Sequence, residues 1–271
     1  MPVIDCHVHL NNYDQINKTE KKIPSLEERL DSLIQSMHDS GIDYSVILSS
    51  YKVDEDRPST SNIIDVAKKY DNKLGIVAGF TIDNHTDEDL KNCAKWLKDG
   101  IIKGIKLYCG YEYHYPNDER YQRVYDMCIE YGYPLMIHTG DLFSKTAKIK
   151  YAHPLNIDDI AVDNPELKIV MCHLGNPWFI DCQEVLYKNR NVYADISGLT
   201  IGDFTPATEI HYIRKVKELL EYLAEPHSLL YGSDWPISSM SSYLSFAQKL
   251  ELNQESFEHL MFKNAKSVFK L

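Results

Sequence analysis

Short, nearly continuous apolar runs recur along the chain at Val3 to Leu10, Tyr44 to Ser49, Leu74 to Ile82, Ile101 to Tyr108, Pro134 to Thr139, Lys168 to His173, Val192 to Ile196 and Leu229 to Ser233. Runs of this kind suit strands buried on both faces. Apolar residues at helical spacing fill several of the intervals. Behind a Ser25-x-x-Glu28 capping box, Leu26, Leu30, Leu33, Ile34 and Met37 form one stripe, and Gly41 supplies the stop. Thr86 and Asp89 make a second box ahead of Leu90, Cys93 and Leu97, with Gly100 as its stop. Asn117 is placed to cap a helix carrying Tyr121, Val124, Tyr125 and Cys128, which Gly132 ends. Further helices are predicted at Phe179 to Lys188, Glu209 to Leu223, Tyr243 to Leu250 and Gln254 to Phe269.

Eight strands alternating with helices predict an α/β fold of one kind, a single (β/α)8 TIM-type barrel, because each parallel strand must return through a crossover. A doubly wound open sheet is the rival. It lacks its usual phosphate-binding signature here, since no GxGxxG or GxxxxGK[ST] follows any strand. The 271 residues contain no repeat, low-complexity stretch or Pro/Gly/Ser linker, so residues 1–271 are read as one barrel domain closed by the helix at 254–269.

Composition narrows the partners. With 44% hydrophobic and 25% charged residues the chain can bury a core, which excludes disorder and collagen-like repeats. Lysine plus arginine total 29 against 40 aspartate plus glutamate, a net charge of −11 that on average repels nucleic acid and anionic membranes. Six dispersed cysteines without a CxxC pair suggest a reducing compartment. Neither a leader pattern nor a run of about 18 apolar residues is present, so a soluble, cytoplasmic protein is expected.

The histidines carry the chemistry. His7 and His9, in Asp5-Cys6-His7-Val8-His9, stand two apart on the first strand and so face one side, where two imidazoles can chelate zinc or a similar divalent ion. His138 ends the fifth strand, His173 ends the sixth, and Asp234 follows the eighth. These are C-terminal strand ends, the face on which barrel active sites are built. Any one of these histidines alone reads as a structural residue bonded to backbone. As controls, His38, His85, His114, His153, His211, His227 and His259 fall in helices or connections. Four histidines on strands with a matching aspartate argue for a metal site.

With Met136-Ile137-His138-Thr139-Gly140, Cys172-His173-Leu174-Gly175, Tyr193-Ala194-Asp195-Ile196-Ser197, Tyr231-Gly232-Ser233-Asp234-Trp235-Pro236 and Asn264-Ala265-x-x-x-Phe269, the sequence resembles the amidohydrolase superfamily, in its amidohydrolase-2 branch, in order and over essentially the whole chain. The resemblance implies a barrel with one or two divalent ions at its mouth, zinc foremost, with manganese, iron or cobalt as alternatives. His7, His9, His138 and Asp234 would be ligands, and His173 either a further ligand or the group that polarises the substrate. Asp234 would accept a proton from an activated water and His173 would steady the oxyanion, in hydrolysis of an amide, lactone or ester. The same branch contains non-oxidative decarboxylases of aromatic and related acids, which the ligand set does not separate. A metal- or ligand-binding barrel without turnover is a third reading. Lys106, on the fourth strand, matches the lysine that is carboxylated and bridges two metals in binuclear members, or serves as a cation for a substrate carboxylate. The strand-four glutamate of TatD-like nucleases is missing. A homodimer is expected from the resemblance alone.

Loops after the strands supply substrate contacts. Tyr108 and Tyr111, in a connection that also holds Tyr113 and Tyr115, are candidates for a wall or lid, and Asn176, Trp178, Trp235 and Asp141 are similarly placed. Asp195 and Ser197 are expected behind the histidines. Lys52 and Arg57 lie in a charged stretch after the second strand, where they could meet an anion. The expected partner is a small organic molecule.

Overall fold

The computed structural model describes residues 1–13, 23–223 and 228–271. The control residue His227 and the residues 14–22 lie outside the described residues. Eight strands, β1 (Ile4–Val8), β2 (Tyr44–Leu48), β3 (Leu74–Phe80), β4 (Ile105–Leu107), β5 (Leu135–Ile137), β6 (Ile169–Met171), β7 (Val192–Asp195) and β8 (Leu229–Leu230), pair in parallel in sequence order. The seam between β8 and β1 is drawn together by Cys6 N donating to Tyr231 O (2.9 Å), His9 N to Trp235 O (2.7 Å) and Asp234 N to His7 O (2.8 Å). The result is the TIM-type barrel expected from the alternation of elements.

The helices are α1 (Leu26–Ser40), α2 (Thr60–Ala67), α3 (Asp87–Lys98), α4 (Gln122–Tyr131), α5 (Asn156–Asp163), α6 (Phe179–Lys188), α7 (Pro206–Leu223), α8 (Met240–Gln248), α9 (Gln254–Glu258) and α10 (Asn264–Phe269). Both capping boxes form: Ser25 with Glu28 ahead of α1, and Thr86 with Asp89 ahead of α3. Each cap satisfies orphan N–H groups and contributes roughly 1 kcal/mol. The stripes bury as expected, Leu30, Leu33 and Met37 on α1 and Leu90, Cys93 and Leu97 on α3. None of the helices among the described residues is long and apolar enough to cross a membrane.

Three expectations change. Helices α2 and α5 have no counterpart in the predicted pattern, because each is two turns long and buries only three residues, Ile63, Ile64 and Ala67 in one and Ile157, Ile160 and Ala161 in the other. Helices this short draw their stability from packing rather than from a visible repeat. The residue that caps the α4 segment is Asp118, whose side chain accepts from Arg120 N ahead of a 3-10 turn (Glu119–Tyr121), while Asn117 reaches Asp159 at 3.3 Å. The C-terminal helix at 254–269 is interrupted by a π turn at His259–Lys263. There Leu260 O accepts from Tyr231 N (2.9 Å) and Asn264 Nδ2 donates to Leu229 O (2.7 Å), so the widened turn serves the short β8 strand as a partner.

The barrel interior is packed by Ile4, Cys6, Val46, Leu48, Val77, Met136, Val170, Cys172 and Leu230, with Val268 and Phe269 of α10 in the same cluster. Ile47, Ile76, Ile105, Leu107, Ile137 and Met171 face outward to the helices. This alternation has one break. Ile4 and Cys6 point inward, which by strict period 2 would send Val8 inward and His7 and His9 out. The pairing of β1 with β2 shifts register between Asp5 and Val8, an extra residue on β1 that reverses the faces. Val8 therefore packs outside and both histidines turn to the interior.

Candidate metal centre

Two imidazoles and a carboxylate converge at the C-terminal mouth. His7 Nε2 lies 3.6 Å and His9 Nε2 3.3 Å from Asp234 Oδ1, and the ligand atoms of the three residues fall within 4.8 Å of one another. All three are buried. Asp234 is held in the left-handed region (φ 64), with its N–H on His7 O, so backbone rather than side-chain rotation delivers the carboxylate.

The outer nitrogens fix the tautomers. His9 Nδ1 lies 2.9 Å from Leu48 O, which can only accept, so this nitrogen carries the proton. His7 Nδ1 lies 2.8 Å from Asp195 Oδ2 and 3.1 Å from Ser197 Oγ. In the neutral rings the lone pairs then sit on the two Nε2 atoms, and both face a third acceptor, Asp234 Oδ1. Three acceptors around one point, with donors already bound behind them, are the arrangement that a divalent cation satisfies. The residues present thus fit the ion that the sequence implies.

Electrostatics keep the set in its ligating form. Burial lowers His7 to about 4, against the opposing pull of Asp195. Burial also pushes His138 and His173 below the usual imidazole value, and the positive charge of Lys106 acts in the same direction on all three. For Asp234 burial alone would raise the carboxyl, but the imidazoles of His9, His7 and His173 gathered against it outweigh burial and hold it at about 2. Asp195, fully buried, is likewise brought below the ordinary range by His7 despite its burial. Its Oδ1 also accepts from His173 N (3.0 Å), Ser197 N (3.1 Å) and Ser197 Oγ (2.5 Å), so one carboxylate orients both sides of the centre.

His138 and His173 stand beside this group without joining it. Their ring centroids are 4.9 Å apart, and His173 lies 4.8 Å from His7. His138 Nε2 faces Asp141 O at 2.9 Å, so its Nδ1 is the nitrogen left for other bonds. It directly follows β5, whereas His173 lies two residues past β6 in a left-handed turn (φ 64). His173 Nδ1 meets Ser197 Oγ at 2.9 Å, leaving Nε2 free. Lys106 is fully buried on β4 and donates to Cys172 Sγ.

A cavity of about 550 Å³ opens above, lined by His7, His9, His138, His173, Asp234 and Lys106. Tyr108 and Tyr111 line it too, yet their hydroxyls are engaged, the first donating to Ser49 O (2.6 Å) and the second accepting from Phe143 N (3.0 Å). They offer ring faces. Asn176, Trp178 and Trp235 do not line it: Asn176 donates to Asp141 Oδ2 (2.9 Å), Trp178 packs on His153, and Trp235 packs against the core. Following a ligand in the chain does not set which way a side chain points. The cavity instead gathers Asn11 and Tyr13, whose signal was their place just past β1, and the cations Lys52 and Arg57, tethered to Asp54 at 3.4 and 2.5 Å.

The amidohydrolase family model, Amidohydro_2, matches residues 4–271. The chain belongs to the amidohydrolase-2 family. Comparison with curated proteins finds none that matches it. Among solved structures, this family member is similar to an uncharacterised TIM-barrel protein from Bordetella bronchiseptica (21% identity, TM-score 0.76, covering 100% of this chain and 99% of that one). It is also similar to a probable 2-pyrone-4,6-dicarboxylic acid hydrolase from Acinetobacter baumannii with citric acid bound (18%, 0.70, 100% of both chains). A third is a 5-carboxyvanillate decarboxylase from Novosphingobium aromaticivorans with bound manganese (14%, 0.69, 100% and 97%). At these identities the likeness speaks for the fold, and both hydrolases and decarboxylases share it.

Proposed function

We propose that this amidohydrolase-2 member is a metal-dependent hydrolase that cleaves an amide, lactone or ester bond of a small organic substrate. The observation that carries the reading is the convergence of His7 Nε2, His9 Nε2 and Asp234 Oδ1, with both imidazoles held from behind through Nδ1. Zinc is the ion that imidazole and carboxylate in this number suit best, with manganese, iron or cobalt as alternatives. When bound, such an ion supplies Lewis acidity and activates water at neutral pH. Asp234, ionised at neutral pH, takes the proton of the attacking water and returns it to the leaving group. His173 donates Nδ1–H to Ser197 Oγ, whose own hydrogen goes to Asp195, so its Nε2 turns a lone pair toward the centre as a further metal ligand, and it steadies an oxyanion only in the protonated ring. Tyr108 and Tyr111 wall the organic body with their rings.

A second reading has an observation of its own. Lys52, Arg57 and Lys106 all line the cavity, which suits a substrate carboxylate and therefore decarboxylation. Turnover in 18O-labelled water separates the two: label enters the product of hydrolysis, whereas decarboxylation releases carbon dioxide. Metal analysis of wild type against a His7→Ala, His9→Ala double variant tests the centre itself. About one ion per chain, lost in the variant, supports the site; about two would make Lys106 a bridging ligand, and none after reconstitution would overturn the hydrolase reading.

A further inference from the structure

The candidate metal centre is rich in acceptors and short of donors. His7, His9 and His173 each donate backward through Nδ1 and turn an Nε2 lone pair inward. Among the other groups that line the cavity, Tyr108 spends its hydroxyl hydrogen on Ser49 O (2.6 Å), Lys106 donates to Cys172 Sγ, and Lys52 and Arg57 are paired with Asp54. Hydrolysis of an amide, lactone or ester places negative charge on the carbonyl oxygen of the substrate. A donor aimed at that charge gains strength as the charge grows.

Two tyrosines supply such donors. Tyr13 Oη accepts from Asn11 Nδ2 (3.0 Å), and Tyr111 Oη accepts from Phe143 N (3.0 Å). Turning the Asn11 amide over would trade its open carbonyl for a further orphan N–H, the rarer arrangement. Each oxygen is thus fixed by a bond it receives, and among the described residues neither hydroxyl hydrogen meets an acceptor. Ring contacts set the pair on two sides of the centre. Tyr13 stands edge-on to His9 with 6.0 Å between centroids, and Tyr111 stands edge-on to His138 at 5.0 Å. Both are half-buried and line the metal-site cavity. The groups whose charge acts on the Tyr13 hydroxyl include Asp234, Tyr111 and Arg57, and those acting on Tyr111 include Asp234 and Tyr51. All of these line the same cavity, so the hydroxyl oxygens lie on its side. Burial, reinforced by Asp234, pushes both phenols up, Tyr111 to about 12 against the opposing bond from Phe143 N, and each keeps its hydrogen at neutral pH.

We propose that the hydroxyls of Tyr13 and Tyr111 form a donor pair for the substrate oxygen that turns negative during attack at the metal centre. The pair fills the place that a neutral His173 cannot. No proton changes hands: each O–H keeps its hydrogen, and its bond to the oxygen strengthens as charge develops, so the effect belongs to kcat rather than KM. The identity of that oxygen rests on the hydrolase reading.

The probes are 4-nitrophenyl acetate for turnover and phenylphosphonate, a tetrahedral anion, for calorimetric binding, both with the zinc-supplemented full chain. Tyr13→Phe and Tyr111→Phe should each lower kcat about 100-fold with KM changed less than about threefold. Each should also weaken phenylphosphonate about tenfold while keeping the metal content of wild type. Asn11→Ala leaves both hydroxyls in place and should cost less than about tenfold in kcat. A loss in Asn11→Ala equal to that in Tyr13→Phe, or losses confined to KM, would overturn the donor pair. So would phenylphosphonate binding that is unchanged in both phenylalanine variants, or absent from wild type, whatever the turnover. Phenylphosphonate binding that needs both hydroxyls in a chain that leaves the ester intact supports the pair and counts only against the hydrolase reading.

Discussion

Asp195 touches no candidate substrate position, yet it receives His7 Nδ1, His173 N and Ser197, and so decides which nitrogen of His7 carries a lone pair. Asp195→Asn keeps size and burial but sets an amide where only an acceptor suits the His7 tautomer. Metal affinity should fall about 10–100-fold in a chelator competition, with an unchanged unfolding transition of the metal-free chain. Unaltered affinity would show that Asp195 is merely structural. Gly198 makes a second residue-scale case. Its φ is +65°, and a Cβ there would lie 2.2 Å from His173 Nδ1. Gly198→Ala should cost about 2 kcal/mol or more in denaturant unfolding, roughly 1–2 from the left-handed backbone and the rest from displacing His173. The histidines and Asp234 are visible as a pattern of strand ends, with Asp195 and Ser197 expected behind them, but which nitrogen meets which partner is set by the fold, which joins His7 to Asp195 across 188 residues and His9 to Leu48 O across 39.

At the scale of elements, the strand order and the longer helices are legible because a buried parallel strand is a continuous apolar run and a long amphipathic helix repeats its stripe several times. Helices α2 and α5, with three buried residues each, are not. The register shift in β1 leaves no compositional trace, although it decides that His7 and His9 face inward. The segment leading into α4 offers a test of local electrostatics. Asp118 accepts from Arg120 N, Nε and Nη2 at 3.1, 2.9 and 2.7 Å, and these bonds outweigh burial to hold its carboxyl at about 2. A carboxyl lowered on folding contributes stability that is complete above its unfolded value of 3.8 and is lost as pH falls through about 2. Asp118→Asn should therefore cost about 1 kcal/mol at pH 5, after allowance for its partial exposure, and almost nothing at pH 2. A difference between the two proteins that does not change over this range would mean the cap acts through shape alone.

For the whole molecule, the candidate metal centre is a fold-level link rather than a local decoration. Its three ligands come from the two ends of the barrel sheet, β1 and the segment after β8, so whatever neutralises them also fastens the seam. In the absence of a cation, His7 Nε2 and His9 Nε2 confront Asp234 Oδ1, acceptor against acceptor, at the place where Asp234 N, Cys6 N and His9 N close the barrel. A divalent ion held there would convert that repulsion into attraction and would bind only the folded chain. Linkage then adds about 4 kcal/mol when the free ion is about 1,000 times its Kd. For a chain of this size the melting temperature should rise on the order of 10 °C above that of chelator-treated protein. The rise should vanish in the His7→Ala, His9→Ala variant, because the alanines remove the ligands from β1. Hydrogen exchange of the amides of Cys6, His9 and Asp234 reports on the seam directly: protection should increase with metal there before it does in α3 or α4. A uniform gain in stability with no preference for the seam would mean that the ion binds the barrel without closing it.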